Sequence, residues 1–134
     1  RHSDRQAQGG LMATQEITLE NYESTVLNSP FVVLDFWASW CGPCRSFAPV
    51  FEQASEEHEG IVFGKIDTQA QQELAGRLQI SSIPTIMIFR EGIPIFAQPG
   101  AMRPGDFNDL LNRAGQVNMD DVRAKIAEME AEAN

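Results

Sequence analysis

The run Phe31, Val32, Val33, Leu34, Asp35, Phe36, Trp37 narrows the fold more than any other feature of the chain. A strand with one wet face alternates apolar and polar side chains. Apolar residues at both parities mean instead that both faces are covered. Such a strand belongs in the middle of a sheet with helices above and below, the α/β class. The chain has 134 residues, enough for one ordinary domain and short for two. With 43% apolar residues, eight Phe and two Trp it can fill a core. No stretch approaches the roughly 18 apolar residues of a membrane span.

Periodicity on either side of this strand extends the α/β reading. Residues 1–11 are polar and Gly-containing, and Met12-Ala13 resembles a natural start, so 1–12 are set aside as a flexible extension or as residues foreign to the natural chain. A short strand fits Gln15 to Thr18; Leu19, Tyr22, Val26 and Leu27 then recur at helical spacing until Asn28-Ser29-Pro30 stops them. After the central strand, Cys44, Phe47, Ala48, Phe51, Ala54 and His58 share one helical face, with Gly60 as terminator. Ile61 to Ile66 is a third strand, Ala70, Leu74, Ala75 and Leu78 mark a short helix, and Thr85 to Phe89 is a fourth strand. Glu91-Gly92 turns the chain into Ile93 to Ala97, where Pro94 lacks a ladder N–H and so suits an edge. A last domain helix carries Phe107, Leu110, Leu111 and Ala114, with Pro104 near its first turn and Gly115 past its end. The domain therefore spans 13–115. Residues 116–134 form an acidic tail with Val122, Ile126 and Met129 at helical spacing.

Charge removes one class of partner. A formal net charge of −9 and a pI near 4.6, with Lys and Arg scattered, would repel phosphate backbones, so nucleic acid is not expected. Residues 1–12 hold no apolar core of signal-peptide length and lack the basic amphipathicity of a transit peptide, which makes the cytosol the expected location. No membrane partner is expected, and the simplest assembly state is a monomer.

The chemistry lies in the only two cysteines, Cys41 and Cys44. A disulfide between them closes a very short loop, removes little entropy from the unfolded chain and is a poor staple. A structural zinc site needs four ligands, and His2 and His58 lie far from the pair and from each other, so no metal is expected. The pair opens a helix, where unpaired N–H groups and the positive end of the dipole favour thiolate at the first sulfur. Cys41 is thus the expected nucleophile, partly exposed at the helix start. Cys44, one turn in on the apolar face and more covered, is the expected resolving thiol. Gly42 keeps bulk away from the sulfur, and Pro43 suits the first turn, where its missing N–H is not needed. The bland alternative is that both are ordinary core cysteines.

Asp35 is the second informative residue. A carboxylate within an apolar strand is either paired, shifted upward by desolvation, or turned to solvent at the strand end. The pattern alone leaves these open; the neighbouring dithiol favours a carboxyl that moves protons near neutral pH. Pro49 should remove one hydrogen bond from the cysteine helix and kink it. Ile83-Pro84 precedes a strand, and periodicity does not say whether its bond is cis.

The segment Asp35-Phe36-Trp37-Ala38-Ser39-Trp40-Cys41-Gly42-Pro43-Cys44-Arg45, followed by Ala48-Pro49, closely resembles the active-site segment of the thioredoxin family. Lys65 on the next strand, Ile83-Pro84-Thr85 opening the fourth, Gly92 in the hairpin and Gly100 before the last domain helix resemble the family's marker positions. The resemblance covers about residues 14–115. It implies a thioredoxin fold, a central mixed five-stranded sheet flanked by helices on both faces, with a cis bond before Pro84 facing the dithiol. It further implies a protein disulfide reductase in which Cys41 attacks a client disulfide and Cys44 resolves the mixed disulfide. Asp35 would assist proton transfer with Lys65 as its ionic partner. Trp37 and Trp40 would shield and border the site, and Gly42, Pro43, Ile83, Pro84 and Gly100 would meet the client.

The same resemblance implies that no cofactor binds the chain. Its redox-active group is the Cys41-Cys44 disulfide, and NADPH acts indirectly through a flavin-dependent thioredoxin reductase. The Gly-Pro dipeptide is that of reducing members, whereas oxidising and isomerising relatives usually carry a His before the second Cys. Three departures stand out: Pro99 before Gly100, Ser82 before Ile83, and the acidic tail. Two rivals remain, a disulfide-forming oxidase or isomerase on the same fold, and a docking module whose tail recruits a partner.

Overall fold

Val33 and Asp35 point to one side of the central strand, Val32, Leu34 and Phe36 to the other, and each side is roofed by helices. The computed structural model describes residues 13–133, so the expected extension at 1–12, with His2, lies outside the described residues. The strands are β1 (Thr14–Glu16), β2 (Phe31–Trp37), β3 (Val62–Asp67), β4 (Thr85–Arg90) and β5 (Ile93–Pro99). The helices are α1 (Leu19–Asn28), α2 (Gly42–Glu57), α3 (Gln72–Arg77), α4 (Pro104–Gly115) and α5 (Met119–Ala133). Strand order is β1-β3-β2-β4-β5. β1, β3 and β2 run parallel, while β4 is antiparallel to both β2 and β5. This is the mixed five-stranded sheet expected, with the Pro94 strand at its edge.

On one face β2 and β3 give Val33 and Phe63, β4 gives Ile86 and Ile88, and these meet Phe47, Phe51 and Ala54 of α2 and Phe107, Leu110, Leu111 and Ala114 of α4. Phe47 and Phe107 meet edge to face at 5.2 Å, and Phe51 and Phe63 at 5.3 Å. Burying each ring contributes about 1.5–3 kcal/mol, with a further increment from the edge-to-face geometry. These rings fix α2 against the sheet and thereby fix the cysteines at its start. The other face packs Val32, Leu34, Phe36 and Ile66 beneath α1 and α3 through Val26 and Leu74.

Local chemistry sets the element ends. Asn21 Oδ1 accepts the Thr18 N–H at 2.8 Å, closing the start of α1. Leu27, expected on the buried stripe, is 63% exposed: Val26 takes the core position, and the next residue is turned about 100° away. α2 continues through Pro49 as one helix despite the hydrogen bond that residue cannot donate. It ends at Glu57, and Gly60 follows with φ +88° in the turn to β3. Gly115 is the last residue of α4 and not the one beyond it.

The tail is helical. Met119 is 5% exposed, Val122 and Ile126 are half-buried, and Arg123 pairs with Glu91 of the β4–β5 turn and with Asp120. Its first turns therefore lie on the domain, while Met129 is exposed. No helix among the described residues is long and apolar enough to cross a membrane.

Candidate active site

β2 delivers the chain to the site. After Trp37 a tight turn in which Cys41 N–H donates to Ala38 O at 3.2 Å reverses direction. Cys41 then caps α2 in an extended conformation, φ −90° and ψ 114°. Cys44 N–H donates to Cys41 Sγ at 3.2 Å, and Arg45 N–H to Cys41 O at 3.1 Å. The first sulfur thus occupies the place of a capping oxygen, facing a free helical N–H and the positive end of the dipole.

Cys41 and Cys44 are joined by a disulfide. They are 5% and 3% exposed, which corrects the expectation that Cys41 would stand clearly more open than Cys44. Both sulfurs sit in a small apolar cluster with Ala38, Trp37 and Ile83. Solvent access therefore does not rank them; the N–H aimed at Cys41 does. Among the described residues no cluster of His, Cys, Asp and Glu could hold a metal ion.

Around the disulfide the surface opens. Trp40 is 63% exposed, Pro43 is exposed and Gly42 half-buried. A Cβ at Gly42 would meet nothing within 4 Å. The Ile83-Pro84 bond is cis, and the Ile83 carbonyl oxygen lies 3.8 Å from Cys41 Sγ. The loop is held at both ends: Thr85 hydroxyl donates to Ser82 O at 2.6 Å, and Gly100 N–H to Pro84 O at 2.8 Å. Gly100 does this with φ +112°, open to glycine and strained for other residues. The structure thus brings Cys41, Cys44, Ile83, Pro84 and Gly100 together at one end of the sheet.

Asp35 lies beneath, on the β2 face that packs toward α2. It is 1% exposed, and neither carboxyl oxygen has a hydrogen-bond partner. Burial pushes it up to about 7 from 3.8, the charge of Lys65 pulling it down and that of Glu52 pushing it further up. The strand-end alternative, an Asp turned to solvent, is excluded. Lys65 corrects the expected pairing: its ammonium goes to Glu52 at 3.3 Å and lies 5.3 Å over the Trp37 ring, acting on Asp35 through charge alone. Glu52 was missed by sequence reasoning, because no local pattern links a helix position to a strand lysine 13 residues later.

The family model described as Thioredoxin matches residues 13–113. A Streptomyces coelicolor protein named "Putative thioredoxin 2" is 50% identical over 123 residues, 92% of each chain; a span of 123 of the 134 residues takes in the start of α5 at Met119. A Mycobacterium leprae protein named bifunctional thioredoxin reductase/thioredoxin is 42% identical over 90 residues, 66% of this chain and 20% of that one. Among solved structures, a Plasmodium falciparum thioredoxin superposes with TM-score 0.70 at 28% identity, over 75% of this chain and 98% of its own. The chain belongs to the thioredoxin family, and the disulfide at the start of α2 makes it a thiol–disulfide oxidoreductase.

Proposed function

We propose that the chain reduces disulfides of client proteins in the cytosol and is returned to the dithiol by a flavin-dependent, NADPH-using thioredoxin reductase. The observation that carries the reading is the Cys44 N–H on Cys41 Sγ at a helix start. In the dithiol form that N–H and the dipole stabilise a Cys41 thiolate. The thiolate attacks one client sulfur, forming the Cys41–client bond while the client's other sulfur leaves with the electron pair and takes up a proton. Cys44 then loses its proton and attacks Cys41 Sγ, forming Cys41–Cys44 and releasing the second client thiol. Two electrons pass from the dithiol to the client.

Asp35, buried without a partner on the side facing α2, is the proposed acceptor of the Cys44 proton, since a carboxyl near 7 exchanges protons at neutral pH. Trp40, Gly42 and Pro43 supply the surface a client approaches, and the Ile83–Pro84 loop with Gly100 supplies backbone beside Cys41. The reductase partner is supported by the Mycobacterium leprae relative, whose name joins reductase and thioredoxin in one chain. The test is insulin-disulfide reduction by the purified chain with NADPH and a thioredoxin reductase. Turnover that needs both cysteines supports the reading, and absence of turnover with reductase and with dithiothreitol alike removes it.

A further inference from the structure

We infer that Glu52 is a positioning residue for Asp35: by holding the Lys65 ammonium, it sets how much of that charge Asp35 feels and so the pH at which Asp35 exchanges its proton. The inference rests on the reading of Asp35 as the group that takes the Cys44 proton.

Asp35 and Lys65 are paired in register between parallel strands, so both side chains leave the same face of the sheet. Neighbouring strands are about 4.8 Å apart, close enough for the ammonium to have closed on the carboxyl. It is drawn to Glu52 at 3.3 Å instead, while both Asp35 oxygens stay without a partner. Two carboxyls therefore share one cation, and the buried one does not hold it.

The surroundings leave Glu52 as the governing competitor. Glu16 stands in register with Lys65 on β1, and Asp67 is two residues along β3; both line a cavity of about 330 Å³ with Trp37 and Lys65. Glu16 is exposed, and Asp67 Oδ1 already accepts the N–H groups of Gln69 and Ala70 at 2.9 and 3.3 Å. From β4, the residues opposite Asp35 and Phe36 are Ile86 and Thr85, neither charged. Arg45 on α2 is turned to Ser39 O at 3.0 Å. Glu52 acts in one direction by two routes: its own negative charge opposes ionisation of Asp35, and it draws Lys65 away. The pair is only partly covered, the side chains being 20% and 27% exposed, so salt weakens the second route.

The experiment follows the Asp35 side-chain carboxyl by carbon NMR against pH in the oxidised full chain, for the native protein and E52Q, K65M and E52Q/K65M. E52Q is expected to lower the Asp35 midpoint by roughly 0.5–1 pH unit, K65M to raise it, and E52Q to have at most half its effect in the K65M background. An E52Q midpoint within about 0.2 unit of native, or moved upward, overturns the inference; equal E52Q shifts with and without Lys65 overturn the route through Lys65. A merely structural Glu52 would lower stability and leave the midpoint in place.

The pH profile of client reduction separates the two claims. A profile that shifts with the midpoint in E52Q and flattens in D35N supports both. A D35N profile identical to native removes Asp35 as proton acceptor, while the NMR midpoints still decide Glu52.

Discussion

Cys44 presents its backbone N–H to the sulfur of Cys41 at 3.2 Å, and this one contact makes two almost equally buried cysteines chemically unequal. The sulfur that receives the N–H is stabilised as thiolate, while the one that follows it into the helix has no such donor. Replacing Cys41 with Ser should abolish client reduction. Replacing Cys44 with Ser should leave the first attack intact and trap a Cys41–client mixed disulfide, detected by mass spectrometry as a covalent adduct that dithiothreitol reverses. Adducts forming on Cys44 in the Cys41→Ser protein, at rates like those of Cys41, would reverse the assignment.

Asp35 predicts a stability that falls with rising pH. The carboxyl ionises near 3.8 in the unfolded chain and near 7 in the folded one, so below the unfolded value both states hold the proton and nothing is lost. Between the two values the unfolded state gives up its proton first, and the folded state loses up to about 4 kcal/mol, fully lost above pH 7. Asp35→Asn should therefore stabilise the oxidised protein by about 2–4 kcal/mol at pH 8.5 and by much less at pH 4. Urea unfolding at the two pH values checks it, and a gain that does not change with pH would contradict it.

Gly64 predicts an overpacked core. A Cβ there would lie 2.5 Å from Ile17 Cγ1 and 2.9 Å from Leu34 Cδ2, both on fully buried side chains. Gly64→Ala should cost about 1–3 kcal/mol in denaturant unfolding and leave the redox potential of the cysteine pair unchanged, because β3 at that point packs under α1 and not against the disulfide.

Met119 tests whether the tail belongs to the folded unit. Its 5% exposure predicts that Met119→Ala lowers stability by about 2 kcal/mol with the rate of insulin reduction unaltered. A change in stability too small to measure would mean that α5 does not rest on the domain in solution.

The sequence made some of this legible for physical reasons. Phe31 to Trp37 disclosed a doubly covered strand because its apolar residues occupy both parities, and Cys41-x-x-Cys44 disclosed a helix start because Pro43 and the apolar period follow at once. Leu27 misled because a helix end offers two neighbouring apolar residues and only one direction to the core. The true partner of Lys65 was invisible, since Glu52 reaches it only after α2 has been folded back over β3. For the same reason periodicity was silent on the cis bond before Pro84, which only the family resemblance supplied, and on the ion pair between Arg123 and Glu91 that anchors the tail.

The central claim, a reducing dithiol at the start of α2, is tested most directly by the equilibrium redox potential of the Cys41/Cys44 couple in a dithiothreitol or glutathione buffer series. The account predicts a strongly reducing value near that of thioredoxins as a class, about −270 mV. A potential above about −180 mV would contradict it and favour the oxidase or isomerase reading.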